Sequence, residues 1–179
     1  KDRGVRVSCE TAPHYLALCE NDMMEDGRFK MNPPLRSSAD RDALIAGLND
    51  GTIDAIATDH APHSPEEKSK GLEHSAMGIS GLETAFPVLY TYLVMSGKVS
   101  LQRILEALTS SPRKAFGLPP VLEEGAAADI AIIDTRTEFT IDSSRFLSLG
   151  HSTPFEGKRV YGKVLMTLKD GVAVWKDNN

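Results

Sequence analysis

Only two cysteines, Cys9 and Cys19, occur among the 179 residues. Two thiols do not make a disulfide framework, and a reducing cytoplasm fits them best. No apolar run approaches the roughly 20 residues that span a membrane, and no signal-peptide pattern is present. An excess of positive charge is also missing: 20 Lys and Arg stand against 25 Asp and Glu, a formal net charge of −5. Without a basic stripe, neither nucleic acid nor an anionic membrane surface is an expected partner. There is no internal repeat and no low-complexity tract. An initiator Met is lacking too, and a strand pattern begins directly at Val5, which reads as the middle of a longer protein.

What is present is ordinary for a globular domain: 41% hydrophobic and 25% charged residues. Val5 to Cys9 alternates apolar and polar and predicts a strand, followed by a loop over Glu10 to Tyr15. Asn, Asp, Gly and two prolines over 21–38 predict a long loop. A helix is expected from Ala39 to Asn49, with Ser38 as N-cap and Gly51 just past its end. Residues 52–58 (TIDAIAT) read as a buried strand, and 60–81 as a second long polar loop. Leu82 to Met95 is apolar around most of its circumference and predicts a buried helix with Pro87 as a possible kink. Ser100 caps a helix over Leu101 to Thr109, and Ser111-Pro112 starts a short one ending at Gly117. The character changes near 119. Asp129 to Asp134, Glu138 to Ile141 and Lys158 to Lys169 are strand-like, and Asp170-Gly171 signals a hairpin into Val172 to Trp175. Residues 1–118 thus read as βα units of a barrel and 119–179 as a small strand-rich domain. Two strands cannot close a parallel barrel, so edges and apolar helix faces should be exposed.

The chemistry is concentrated where the second strand ends. Asp59, His60 and His63 follow Thr58 at once, at the strand terminus where α/β barrels gather catalytic groups. Asp59 can ligate a divalent metal and move a proton, or simply order the loop. His63, in a proline-stiffened loop, can bind a carboxylate or carbonyl, or lie idle on the surface. His60 is expected to be structural. In Lys30-Met31-Asn32-Pro33-Pro34-Leu35-Arg36 the paired prolines hold the backbone extended. Asn32 offers a donor and an acceptor, which suits an amide or imide. Arg36 can clamp a carboxylate or pair with Glu10 or a neighbour of Asp59. His14 reads as structural, Cys9 and Cys19 as core, and His74 and His151 as solvated. Gly78 to Thr84 leads into a helix, and its backbone amides can meet an oxygen.

Taken together, ETAPHYL (10–16), KMNPPLR (30–36), DGTIDAIATDHAPH (50–63), GISGLETAFPVLY (78–90), SPRKAFGL (111–118) and ADIAIID (128–134) resemble bacterial type I dihydroorotase, of the amidohydrolase superfamily, in order and spacing. The resemblance covers essentially the whole chain. It implies an α/β fold: the C-terminal part of a metal-dependent (β/α)8 barrel of TIM type, with C-terminal strands of a small β-sandwich built from both chain ends. It implies zinc, binuclear in the full-length enzyme, and reversible interconversion of carbamoyl-aspartate and dihydroorotate in cytoplasmic pyrimidine biosynthesis.

By position, Asp59 matches the metal-ligating aspartate that is also the general acid/base. Asn32 matches the asparagine that binds the dihydroorotate ring, and His63 the histidine that binds the substrate carboxylate. Met77 and Gly78 match the loop backbone that contacts the ring; Met77 stands where family members often carry Phe or Pro. His14 matches no ligand. The other metal ligands would precede Lys1, so this chain alone is not expected to hold the metal. A small-molecule substrate is implied, with a homodimer and an association with aspartate transcarbamoylase left open. Two rival readings stand beside this one: a hydantoinase or allantoinase, and a non-catalytic scaffold for aspartate transcarbamoylase.

Overall fold

Near the start of the chain the backbone pairs in parallel. Strand β1 (Glu10–Thr11) lies beside β2 (Ala55–Ile56), with Glu10 opposite Ala55 and Thr11 opposite Ile56. Flanking bonds from Asp54 N to Cys9 O (3.0 Å) and from Ala57 N to Thr11 O (2.9 Å) extend the contact. This is a computed structural model, and it describes residues 1, 3–120 and 122–177. The expected strand over Val5 to Cys9 does not form as such. Val5 and Val7 are exposed, and a strand needs a neighbour's ladder, which β2 supplies only from Cys9 onward.

Helices cover the pair. Helix α1 (Pro13–Ala17) has Pro13 in its first turn, where a missing N–H costs nothing. Helix α2 (Ser38–Asp50) is capped by Ser37 rather than Ser38. The reason is the residue three positions on: Asp40 accepts from Ser37 N (3.2 Å) while Ser37 Oγ accepts from Asp40 N (3.2 Å), a reciprocal box that Ser38 and Arg41 could not close. Gly51, at φ +82, ends the helix in the left-handed conformation that glycine adopts without penalty.

The loop over 60–81 contains two single-turn helices, α3 (Pro65–Lys68) and α4 (Gly71–His74). The apolar segment after it is not one regular helix: α5 (Ala85–Leu89) runs into a π-helical turn at Tyr90–Val94. Pro87 is not the irregularity, because it falls in the first turn of α5, where it forfeits no hydrogen bond. Helix α6 (Leu101–Leu108) is capped by Ser100, and α7 (Ser110–Ala115) follows. From α6, the Arg103 guanidinium donates to Leu48 O and Ile53 O, both at 2.6 Å, tying the end of α2 to the approach of β2.

The C-terminal strands are antiparallel. Strands β3 (Ile130–Asp134), β6 (Lys163–Lys169) and β7 (Val172–Lys176) form one sheet in the order β3-β6-β7. Strands β4 (Phe139–Thr140) and β5 (Arg159–Val160) pair separately. The stretch over 158–169, expected to be an extended strand or a bent one, is interrupted at Gly162 (φ +95), whose missing Cβ leaves room for the Phe86 ring; a Cβ there would lie 2.9 Å from it. Asp170 and Gly171 turn the β6–β7 hairpin with φ of +50 and +79, the two positive values a two-residue type I′ turn requires.

Two apolar clusters result. One joins Leu16, Leu48, Ile56, Leu89, Leu93 and Ile104. The other joins Phe29, Met31, Ile79 and Val88 to Ile141, Phe155 and Val160 from the C-terminal third. Apolar surface also stays open, as the unclosed strand pair implies: Phe116, Leu147 and Leu149 are all exposed. No helix among the described residues is long and apolar enough to cross a membrane.

Replacing Ser37 with Ala should lower the free energy of unfolding by about 1 kcal/mol, read as a lower denaturant midpoint at unchanged m-value. An unshifted midpoint would show that this cap stabilises nothing.

Candidate active site

Strand β2 ends three residues before Asp59, and the backbone turns there through a left-handed conformation, φ +51. Asp tolerates that region better than most residues but still at a cost, and such positions cluster at functional sites. Asp59 is exposed and lines a cleft of about 430 Å³. Asn32 lines the same cleft, carried by a loop in which the Asn32–Pro33 peptide is cis. The two residues that sequence reasoning set most weight on therefore meet on one surface.

The same cleft gathers four further polar side chains: Glu10, Thr11, Tyr15 and Arg36. The Tyr15 hydroxyl donates to Pro33 O at 2.7 Å, linking α1 to the Asn32 loop. Burial, and secondarily the Asp59 carboxylate, push Tyr15 up to about 12, so the hydroxyl keeps its proton and remains a donor. Tyr15 is a cleft residue that sequence reasoning passed over; its place two residues after a proline gave no chemical signal. Arg36 is exposed and lies 3.9 Å from Asp40, one turn on, rather than against Glu10.

His63, Met77 and Gly78 form a neighbouring cluster outside the lining of that cleft. His63 Nε2 donates to Met77 O at 3.0 Å, and Nδ1 lies 3.6 Å from Glu67. Gly78 sits at φ +140, and a Cβ there would lie 2.6 Å from the Ala61 Cβ and 2.7 Å from Ala61 O. Only glycine allows the 60–63 and 76–79 segments to run this close. Their contact continues as a parallel bridge between His60 and Ile79. His60 itself braces the turn: Nδ1 accepts from Gly81 N at 3.1 Å, which leaves Nε2–H to face Ser148 Oγ at 3.3 Å. That is the structural role expected of it.

The remaining candidates fall as follows. His14 is buried in α1, against the Tyr15 ring, and its Nε2 has no partner among the described residues. Burial pushes it down to about 4, so the imidazole is neutral. His74 and His151 are exposed. Cys19 is buried as expected, whereas Cys9 is exposed, which corrects the core reading. It precedes β1 on the uncovered side, with its thiol donating to Thr52 O at 3.1 Å. No three His, Cys, Asp or Glu side chains among the described residues come together to hold a metal. A zinc site takes about four ligands; Asp59 offers one, so these residues do not by themselves fit the group.

Comparison with known proteins shows the family. The amidohydrolase family model matches residues 4–174. The chain belongs to the amidohydrolase family. The motif resemblance is borne out as well: the chain is 53% identical to dihydroorotases of Brevibacillus brevis and Shouchella clausii, matched over 99% and 98% of its length. It spans 42% of the length of each. Among solved structures, an L-hydantoinase (dihydropyrimidinase) from Arthrobacter aurescens is 33% identical with a TM-score of 0.90, over 99% of this chain and 41% of that one.

His14 has a consequence for this amidohydrolase segment in acid. Its pKa is about 4 folded against 6.5 for an unperturbed imidazole, so the unfolded chain binds more protons between those values. Its contribution is intact above pH 6.5 and is lost as pH falls toward about 4, by at most about 3 kcal/mol. His14→Gln should flatten the loss of stability between pH 6.5 and 5, measured by denaturant unfolding against the unsubstituted chain. Equal slopes would show that His14 does not carry the acid sensitivity.

Proposed function

We propose that this chain forms the substrate-facing C-terminal part of a dihydroorotase, which interconverts carbamoyl-aspartate and dihydroorotate. The observation that supports the reading most is that Asp59, held in left-handed backbone beyond a parallel strand, lines the same cleft as Asn32. The 53% identity to dihydroorotases gives it a substrate.

In the hydrolytic direction, water adds across the ring amide: its oxygen bonds to the carbonyl carbon, the C–N bond breaks, and the ring nitrogen gains a proton. Asp59 has the chemistry to take the proton from the attacking water and return it to that nitrogen. Asn32 can accept from a ring N–H and donate to a ring carbonyl, which orients the ring. The Met77 and Gly78 carbonyls each keep a lone pair beyond their internal bonds and can accept from the ring. A substrate carboxylate at His63 would displace Glu67, the longer of its two contacts.

In a chain of the relatives' length, Asp59 would be one zinc ligand among others supplied from outside this sequence. Residues 1–118 would be completed there as a (β/α)8 barrel and 119–179 as part of a β-sandwich. Cytoplasmic pyrimidine synthesis is the setting this reading carries with it.

The likeness to the Arthrobacter aurescens L-hydantoinase favours a second reading, hydrolysis of a five-membered cyclic diamide. A full-length chain containing this segment, assayed with dihydroorotate and with hydantoin, separates the two. Turnover of dihydroorotate is expected; a preference for hydantoin would overturn the assignment. Asp59→Ala should lower kcat by about 100-fold or more, and near-normal turnover would remove Asp59 from the acid/base role. Asn32→Ala should raise KM by about tenfold, the loss of one or two polar contacts.

A further inference from the structure

Among the described residues Lys68 is the one buried lysine, 6% exposed at the end of α3. Its ammonium meets no carboxylate within ion-pair distance among the described residues; it donates instead to three backbone carbonyls: Lys30 O at 3.0 Å, Ala76 O at 2.8 Å and Gly78 O at 2.7 Å. Those carbonyls belong to two loops. Lys30 is two residues from Asn32, and Ala76 and Gly78 flank Met77. The Gly78 amide closes the arrangement by donating to Lys30 O at 3.0 Å.

An ammonium has three N–H donors, and this one uses all three, which is what makes its burial tolerable. Burial, with the nearby Lys30 ammonium, pushes Lys68 down to about 8, so the charged form still predominates at neutral pH. The approach of the two loops also depends on Gly27, where a Cβ would lie 2.1 Å from Lys68 O and 2.3 Å from Ser75 Oγ. A methionine of similar length would fill the same volume but would leave the three carbonyls without this donor, so it is the ammonium that ties the two loops together.

We propose that Lys68 is a positioning residue: its three carbonyl bonds hold the Met77–Gly78 backbone in fixed register with the Asn32 loop, so that both meet the same substrate ring. This rests on the dihydroorotase reading of those residues. Lys68 does not touch the substrate; it acts through Gly78 and the Lys30–Asn32 segment. Removing the ammonium frees the two loops from each other, and the ring then loses contacts that were set in advance.

The test is Lys68→Met in a full-length chain containing this segment, with KM and kcat for dihydroorotate, thermal stability and amide exchange at Gly78 all measured. KM should rise about tenfold or more with a smaller change in kcat. Gly78 amide exchange should accelerate about tenfold or more, with exchange in α2 and α6 unchanged. A lower melting temperature with KM and Gly78 exchange within about twofold of the unsubstituted chain would make Lys68 a packing residue and overturn the proposal. No turnover by the unsubstituted chain overturns the functional reading and this inference with it; turnover with an unmoved KM in Lys68→Met strikes the Lys68 assignment alone. If Lys68→Met does not fold, Lys68→Gln keeps two N–H donors and should give the same pattern with a smaller rise in KM.

Discussion

The two loops that bear the site have almost no ladder of their own, and a buried charge substitutes for one. The segments over 21–37 and 60–81 contain only single helical turns. Backbone groups in such loops must still find partners once water is excluded. The Lys68 ammonium answers that need for three carbonyls from the two loops at once. Gly27 is the matching constraint between them, since a Cβ there would collide with Lys68 and Ser75 of the other loop, while at Gly78 a Cβ would collide with Ala61 inside its own loop. Polar convergence and close backbone approach therefore act beside apolar burial in holding these loops together.

Apolar burial determines where those loops start and end. The cluster around Leu16, Leu48 and Ile104 presses three helices onto the parallel strand pair, and this fixes the point at which Asp59 leaves β2. The second cluster brings Phe29 and Met31, at the base of the Asn32 loop, against Phe155 and Val160 from the C-terminal third. The C-terminal strands thus contribute to the seat of the loop that carries Asn32. Ser80 adds a polar tie in the same direction, donating from its hydroxyl to Gly150 O at 2.5 Å and from its amide to Ser152 O at 2.8 Å.

Membership of the amidohydrolase family and the arrangement of the cleft point the same way without saying the same thing. The family match covers residues 4–174 and speaks to fold and ancestry. The cleft speaks to chemistry: a carboxylate in left-handed backbone, an amide side chain and a tyrosine kept protonated line one surface. His63 shows why position alone does not settle a role. Its two ring nitrogens already face Met77 O and Glu67, so any ligand it takes must compete with a partner that no linear motif reveals.

Much of this chain could be read from its sequence by local rules. The Ser100 cap, the Asp170-Gly171 hairpin and the strand at Ile130–Asp134 depend on neighbours a few residues apart and appear where local rules put them, and the helix over 38–50 does so one residue out, capped by Ser37 instead of Ser38. Asp59 and Asn32 were legible for the same reason: a carboxylate directly after a buried strand, and an amide before two prolines, are local signals. Tertiary structure alone decided the rest. The strand at Val5 fails because pairing depends on a partner strand, Pro87 does not kink because helix α5 begins only at Ala85, and Cys9 stays exposed because nothing among the described residues covers its side of β1. Lys68 is the sharpest case. Within Pro65-Glu66-Glu67-Lys68 it looks like one solvated charge among several, and only the return of residues 76–78 past Lys30 surrounds it with carbonyls. A buried charge is a property of what the chain brings around a residue from a distance, and no local pattern encodes that.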